Sequence, residues 1–297
     1  MHKYLRAIGF SQLKNRKQLQ LLITDCIRTA KEREYISLPQ QGDFVFVECC
    51  KEFAPGMGIA VRGEFDENNN YLYDYYFPYL RGTYVSSQED VTIERHAEKE
   101  SYAGVCDDLR IGVSLIFYFQ NVVAYLKYRE RKKLPVKGTT LTLAALSCQG
   151  TVLMPIIKNE REKKKVKKVS NDRSHLIAAA RNGDEEAIEN LTLEDMDTYT
   201  SISKKIQNDD VFTLVDTYFM PYGVECDQYS ILGEILECQM LENSLSGEKV
   251  YRMLVNCNEL IFDLCINDAD LLGEPLAGRR FKGVIWMQGY INFPEES

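Results

Sequence analysis

The basic stretch KNEREKKKVKK at residues 158–168 constrains this chain most, because the residues on its two sides differ sharply in charge. Residues 1–174 carry 28 Lys and Arg against 21 Asp and Glu, whereas residues 175–297 carry 8 against 23. A net charge of +7 therefore meets one of −15. A stretch with almost nothing to bury cannot join a core, so the simplest organisation is two compact bodies joined by a solvated linker. That predicts a first domain over 1–157, a basic linker over 158–172 and an acidic second domain over 173–297, each long enough for an interior of its own.

The nine cysteines are odd in number and irregular in spacing, and several alternate with apolar residues as small core side chains do. They read as reduced thiols and not as a disulfide framework, which makes the expected location cytoplasmic. Met1–Phe10 lacks the apolar centre of a secretory leader. The longest apolar run, 111–123, is broken by Ser114, Gln120 and Asn121 and falls short of the ~20 residues that cross a bilayer, so no membrane anchor is expected. A total charge of −8 disfavours general binding to nucleic acid or anionic membranes, which attract positive surfaces.

Lys14–Arg33 carries Leu19, Leu22, Ile23, Cys26, Ile27 and Ala30 at helical spacing and predicts an amphipathic helix. From Phe44 the pattern turns to strands in FVFVECC, GIAVRGEF and YLYDYYFPYL, with Asp66–Asn70 as the turn between the last two. Val91–Glu98 alternates as another strand. IGVSLIFYFQNVVAYLKYRERKK begins with strand formers and ends as a basic helix, and Thr139–Ile157 offers two apolar strands broken at Gln149-Gly150. The first domain is thus expected to be α+β, a mostly antiparallel sheet with helices.

Beyond the lysines, residues 173–182 and the acids after Gly183 predict a helix pair. YSILGEILECQML, KVYRMLVNCNE, LIFDLCIN and RRFKGVIWMQGYINF follow as strands, with a helical turn at Asp268–Leu272, and predict a small OB-like β-barrel. In the last strand Gly283 and Gly289 share a face with Phe281, Ile285 and Met287, a sign of tight curvature or close backbone approach.

The strings MHKYLRAIGF, FAPGMGIAVRGEF, IGVSLIFYFQN and GRRFKGVIWMQGYI, spread over nearly the whole chain, resemble an uncharacterised protein family of clostridia and related Firmicutes, of unknown function. The resemblance implies a bacterial cytoplasmic protein. It brings no activity and no functional residues with it.

Chemical signatures are incomplete. Gly56-Met57-Gly58 lies near a dinucleotide fingerprint, but Val61 stands where the third glycine is needed and a strand follows instead of a helix, so it reads as a turn. Asp66, Asn68 and Asn70 have calcium-loop spacing, yet Tyr71 and Phe77 hold the places of the required glycine and bidentate acid. His96-Ala97-Glu98 matches half of a zinc deaminase signature whose P-C-x-x-C half is missing. A nucleophile pair of Cys106 or Cys148 with His96 depends wholly on the fold. No catalytic residue, metal or cofactor is assigned.

The expected function is a non-catalytic binding or scaffold component, whose acidic second half meets a basic protein partner. One alternative is an enzyme or small-ligand-binding protein with a pocket between the domains. Its candidate polar cluster is Glu94, His96 and Glu98 on one strand face, with Arg62 and Arg81. Another is a nucleic-acid accessory factor that uses Lys163, Lys164, Lys165, Lys167 and Lys168, with Trp286 as a stacking surface. The sequence gives no oligomeric state.

Overall fold

Asn15 starts the first helix: its side chain accepts from the Gln18 amide at 2.9 Å, and α1 (Arg16–Thr29) follows, burying Leu22, Ile23 and Cys26. This is the amphipathic helix expected from the sequence. The computed structural model describes residues 1–37, 45–65, 71–95, 102–108, 110–111, 113–131, 138–156, 175–180, 183–191, 193 and 215–294. Among them strands dominate and helices are few, so the fold is mostly β, with the antiparallel sheet and the barrel that were expected but less helix than an α+β class implies.

The first sheet is antiparallel throughout, with β1 (Glu32–Ser37), β2 (Val45–Ala54), β3 (Met57–Phe65) and β4 (Tyr71–Leu80) side by side in chain order. Gly56 takes φ +69 in the tight turn between β2 and β3, as the P-G-M-G string predicts for a turn. α1 lies on one face, where Lys51 of β2 pairs with Asp25. The alternation of a strand then sends Glu48, Cys50, Ala60, Arg62, Phe77 and Tyr79 to the opposite face.

A second sheet contains β5 (Val91–Arg95), β6 (Tyr102–Cys106), β7 (Leu115–Phe119), β8 (Thr140–Leu153), β9 (Tyr218–Pro221), β10 (Gln228–Glu242), β11 (Lys249–Cys257), β12 (Leu260–Asn267), β13 (Leu271–Leu272) and β14 (Arg280–Asn292). The ring β8-β12-β11-β10-β14 closes into a five-stranded barrel, because β14 pairs with both β10 and β8. Only β8 and β12 run parallel within it. β7, β6 and β5 extend outward from β14, and α2 (Val122–Glu130) follows β7.

This ring corrects two expectations. The barrel is not made by the C-terminal strands alone, since β8 comes from the first half. The two halves are also not separate bodies divided near residue 157: Thr140 to Leu153 pairs along its length with Asn292 to Arg280. Charge patterning reports side chains on the surface and is blind to backbone pairing between distant strands. The linker 158–172 lies outside the described residues. Residues 175–180 and 185–191 are helical around Gly183 at φ +86, in accord with the expected helix pair.

Strand β8 is apolar on both sides because it separates two cores. Leu143 and Ala145 join Ile231, Met253, Leu264 and Met287 from the other barrel strands, with Phe117 and Phe119 of β7 and Leu126 of α2. Ala144 and Leu146 face the other way, toward Tyr4 and Ile8 of a 3₁₀ turn (Lys3–Ile8), Ile23 of α1, and Ile59 and Val61 of β3. The expected break at Gln149-Gly150 does not occur. The Phe281 ring fills the space a side chain at 150 would need, so the glycine sits inside a continuous strand.

Gly289 confirms the close approach read from the last strand: the ring of Phe117 lies against it and against Gly104 on the other flanking strand, and a Cβ at either site would overlap the ring. No helix among the described residues is long and apolar enough to cross a membrane.

Candidate functional site

Glu48 interrupts the apolar run of β2, Arg62 interrupts that of β3, and the register sets them directly opposite each other. Arg62 is 0% exposed and Glu48 9%. An arginine is almost never buried so fully without partners. Its Nε donates to Glu48, Nη1 to the Tyr75 hydroxyl at 2.6 Å and the Tyr118 hydroxyl at 3.4 Å, and Nη2 to the Gln120 carbonyl. The Phe77 ring centre lies 4.7 Å from the guanidinium carbon. Burial opposes the charge on Arg62, but Glu48 and the two tyrosines outweigh it and keep the guanidinium protonated.

Glu48 also forms part of the wall of a cavity of ≈ 180 Å³. Cys50, Ala60, Phe77 and Tyr79 of the first sheet line the same space. Gln120 and Asn121, ahead of α2, and Tyr290 of β14 line it as well. Gln120 is fixed there: its Nε2 donates to the Leu80 carbonyl and to Gln288 Oε1, both at 2.9 Å. Asn121 is fixed by two hydrogen bonds with the main chain of Ile291, at 2.8 and 3.0 Å.

Charge is paired around the mouth. Arg81 forks onto both oxygens of Glu32, which holds that carboxyl below its usual range and raises the arginine. Lys127 of α2 reaches Glu34 at 3.2 Å. Tyr79 is different. It is 3% exposed, and its hydroxyl has no hydrogen-bond partner among the described residues. Burial and the neighbouring Cys50 raise its pKa, so it stays a neutral phenol. Cys50 is likewise pushed up by burial and by Glu48, and its thiol is not a nucleophile at neutral pH.

The structure brings together two of the five residues singled out from the sequence: Arg81 lines the cavity, and Arg62 holds the Glu48 wall. Glu94 is exposed on β5 and is not part of the wall. His96 and Glu98 lie outside the described residues, so the Glu94, His96 and Glu98 face is not described as a cluster. Burial pushes Cys106 and Cys148 each up to about 11, which leaves both as protonated thiols at neutral pH. Among the described residues no group of three or more His, Cys, Asp or Glu is placed to hold a metal.

Trp286 is not a stacking surface, which corrects that expectation. It is 5% exposed, lies 5.1 Å from the Tyr4 ring at an interplanar angle of 18°, and donates its indole N–H to Asp227 at 2.7 Å. At the start of the same strand Arg280 is committed to the carbonyls of Met154 and Val215 at 3.1 and 2.9 Å. The five lysines of 163–168 lie outside the described residues.

Sequence reasoning misses Glu32, Glu34, Glu48, Tyr79, Gln120 and Tyr290. The one available signal was the pair of charges inside apolar strands, Glu48 in FVFVECC and Arg62 in GIAVRGEF, since such charges persist in a core only together.

Residues 5–289 match a family described as a domain of unknown function with an E. rectale gene description, DUF3881. The chain belongs to this family. The match spans nearly the whole sequence and agrees with the Firmicutes resemblance read from it. The description of DUF3881 assigns no activity. Comparison with curated proteins and with solved structures returns no match.

Proposed function

We propose that this chain is a non-catalytic binding protein whose small-molecule ligand occupies the cavity beneath the first sheet. The observation that carries this reading is the cavity of ≈ 180 Å³ itself, whose wall keeps hydrogen-bonding capacity unused: among the described residues Glu34 accepts only from Lys127, and one oxygen of Glu48 accepts only a contact of 3.8 Å from the Cys50 thiol. The protonated state of Cys50 supports binding over covalent chemistry.

Differential scanning fluorimetry with a metabolite library tests the reading. A ligand at a hundred times its Kd stabilises by about 2.7 kcal/mol, several degrees in Tm. Ala60→Leu, which narrows the cavity, and Tyr290→Ala, which opens its exposed side, are expected to weaken that shift. A library without binders, or binders indifferent to both substitutions, would overturn the reading.

A second reading, with a basic protein as partner, draws on Glu234, Glu237 and Glu242, which stand exposed along β10. A co-purifying partner released by salt and lost on neutralising these three acids would support it. The ring order with its single parallel pair supports an OB-like description of the barrel in which β8 supplies the fifth strand. Burial of Trp286 counts against nucleic-acid stacking on that barrel.

A further inference from the structure

Helix α1 lies on the first sheet with a basic outer face. Lys17, Leu21, Thr24 and Arg28 recur at helical spacing as one exposed stripe, with the Arg28 side chain 78% and Leu21 64% exposed. Arg16 and Lys31 carry the same sign to its two ends. Asp25, the one acid of the helix, is taken up by Lys51 and Arg28. Folding does not call for this arrangement. Arg16 and Lys17 stand in a first turn that holds no acid, where positive charge opposes the helix dipole. Among the described residues, Arg16, Lys17 and Lys31 pair with no acid of their own copy.

The later part of the chain has the opposite surface. Among the described residues of 175–294, Lys249 is the only exposed Lys or Arg, whereas exposed Asp and Glu are many. Glu234 and Glu237 stand across from Asn256 and Leu254, which lie two residues apart on β11, so the bulge between the two acids keeps both on one face of β10.

We infer that the basic face of α1 docks on the acidic face of β10 of a second copy of this chain. This rests on the second reading above, in which β10 meets a basic protein, and names that protein. Charge complementarity chooses the occupant: a duplex or an anionic membrane that attracts α1 also repels a chain of net charge −8, whereas a second copy sets the half at +7 against the half at −15. The two faces differ, so the contact is head to tail and leaves a free face at each end.

Sedimentation velocity of the full chain over a range of concentrations tests the inference, in about 20 mM and about 500 mM NaCl, between which electrostatic screening lengthens or shortens several-fold. The sedimentation coefficient is expected to rise with concentration at low salt and to return to the monomer value at high salt. The triple variant Arg16→Gln, Lys17→Gln, Lys31→Gln and the double variant Glu234→Gln, Glu237→Gln are each expected to stay monomeric. Their equimolar mixture keeps one intact contact and is expected to form a dimer that grows no further. An undiminished Tm checks the fold of both, since the first variant relieves the clash with the helix dipole. A wild-type monomer at low salt, or assembly indifferent to either variant, would overturn the inference. So would a monomeric chain held by single-stranded RNA or by phosphatidylserine vesicles through the three bases, which would give α1 that partner instead. If the chain is monomeric but the Glu234 and Glu237 variant loses a co-purifying basic protein, only the second copy is ruled out; if that variant matches the wild type in both assays, the acidic-face reading goes with it.

Discussion

Arg62 faces Glu48 across the β2–β3 ladder, and the two form an ion pair whose guanidinium is wholly buried. The same guanidinium bonds to Tyr118 and to the Gln120 carbonyl, so one side chain ties the first sheet to the end of β7 and the wall of the cavity. Removing one partner strands the other. Arg62→Ala is expected to cost about 3–5 kcal/mol in urea unfolding, whereas Arg62→Met with Glu48→Leu costs less than the single change. A double variant less stable than Arg62→Ala would show that the pair contributes more than its own mutual compensation.

The ring of Phe117 packs against both Gly104 and Gly289. Gly289→Ala forces a methyl group into that ring and is expected to cost about 1–3 kcal/mol. Adding Phe117→Leu, which removes the ring, is expected to recover part of the loss in the same denaturation measurement.

His2 is lowered to about 4, by burial first and then by Lys3 and the chain's amino group. Its Nδ1 has no partner among the described residues, and its ring lies 4.8 Å from Trp286. The unfolded chain takes up this proton near the ordinary value of 6.5, before the folded chain does. Stability is therefore expected to fall as pH drops from 6.5 toward 4, by at most about 1.4 kcal/mol per pH unit. His2→Phe is expected to flatten that window when urea midpoints are compared at pH 7, 6 and 5.

Helix α1 and strands β2 and β3 are legible in the sequence because Leu22, Ile23 and Cys26 keep one helical face and GIAVRGEF is a sustained apolar run. Pairing is not legible in the same way. Leu143 and Met287 share a core although nothing in the local pattern of either strand names the other, and only closure of the ring selects the partner. The cavity is harder still. Glu34, Glu48 and Tyr79 are ordinary strand residues in sequence and become a site only when the register brings their faces together. Arg62 and Arg81 stand out earlier because charge inside or beside an apolar strand demands an explanation.

The thiols differ in reach. Cys226 is exposed, whereas Cys26, Cys257 and Cys265 are buried and pushed up to about 12. Brief treatment of the folded protein with iodoacetamide is expected to label Cys226 first, with the buried three reacting only in denaturant, as read by peptide mass spectrometry.

The chain has a single tryptophan, and its indole is enclosed by Tyr4, His2 and Tyr118. Its emission is expected to resist acrylamide quenching in the native state and to remain unchanged on titration with single-stranded oligonucleotides. Strong quenching by either would place the ring within reach of solvent.

β14 seals the barrel by lying between β8 and β10, and it leaves the ribosome after both of them. Until it arrives, β8 and β10 each expose a row of unsatisfied amides and carbonyls, the kind of edge that recruits neighbouring chains into aggregates. A nascent chain stalled before residue 280 is therefore a natural client for chaperones, and a premature stop there yields a sticky open strip where the finished protein has a closed cylinder.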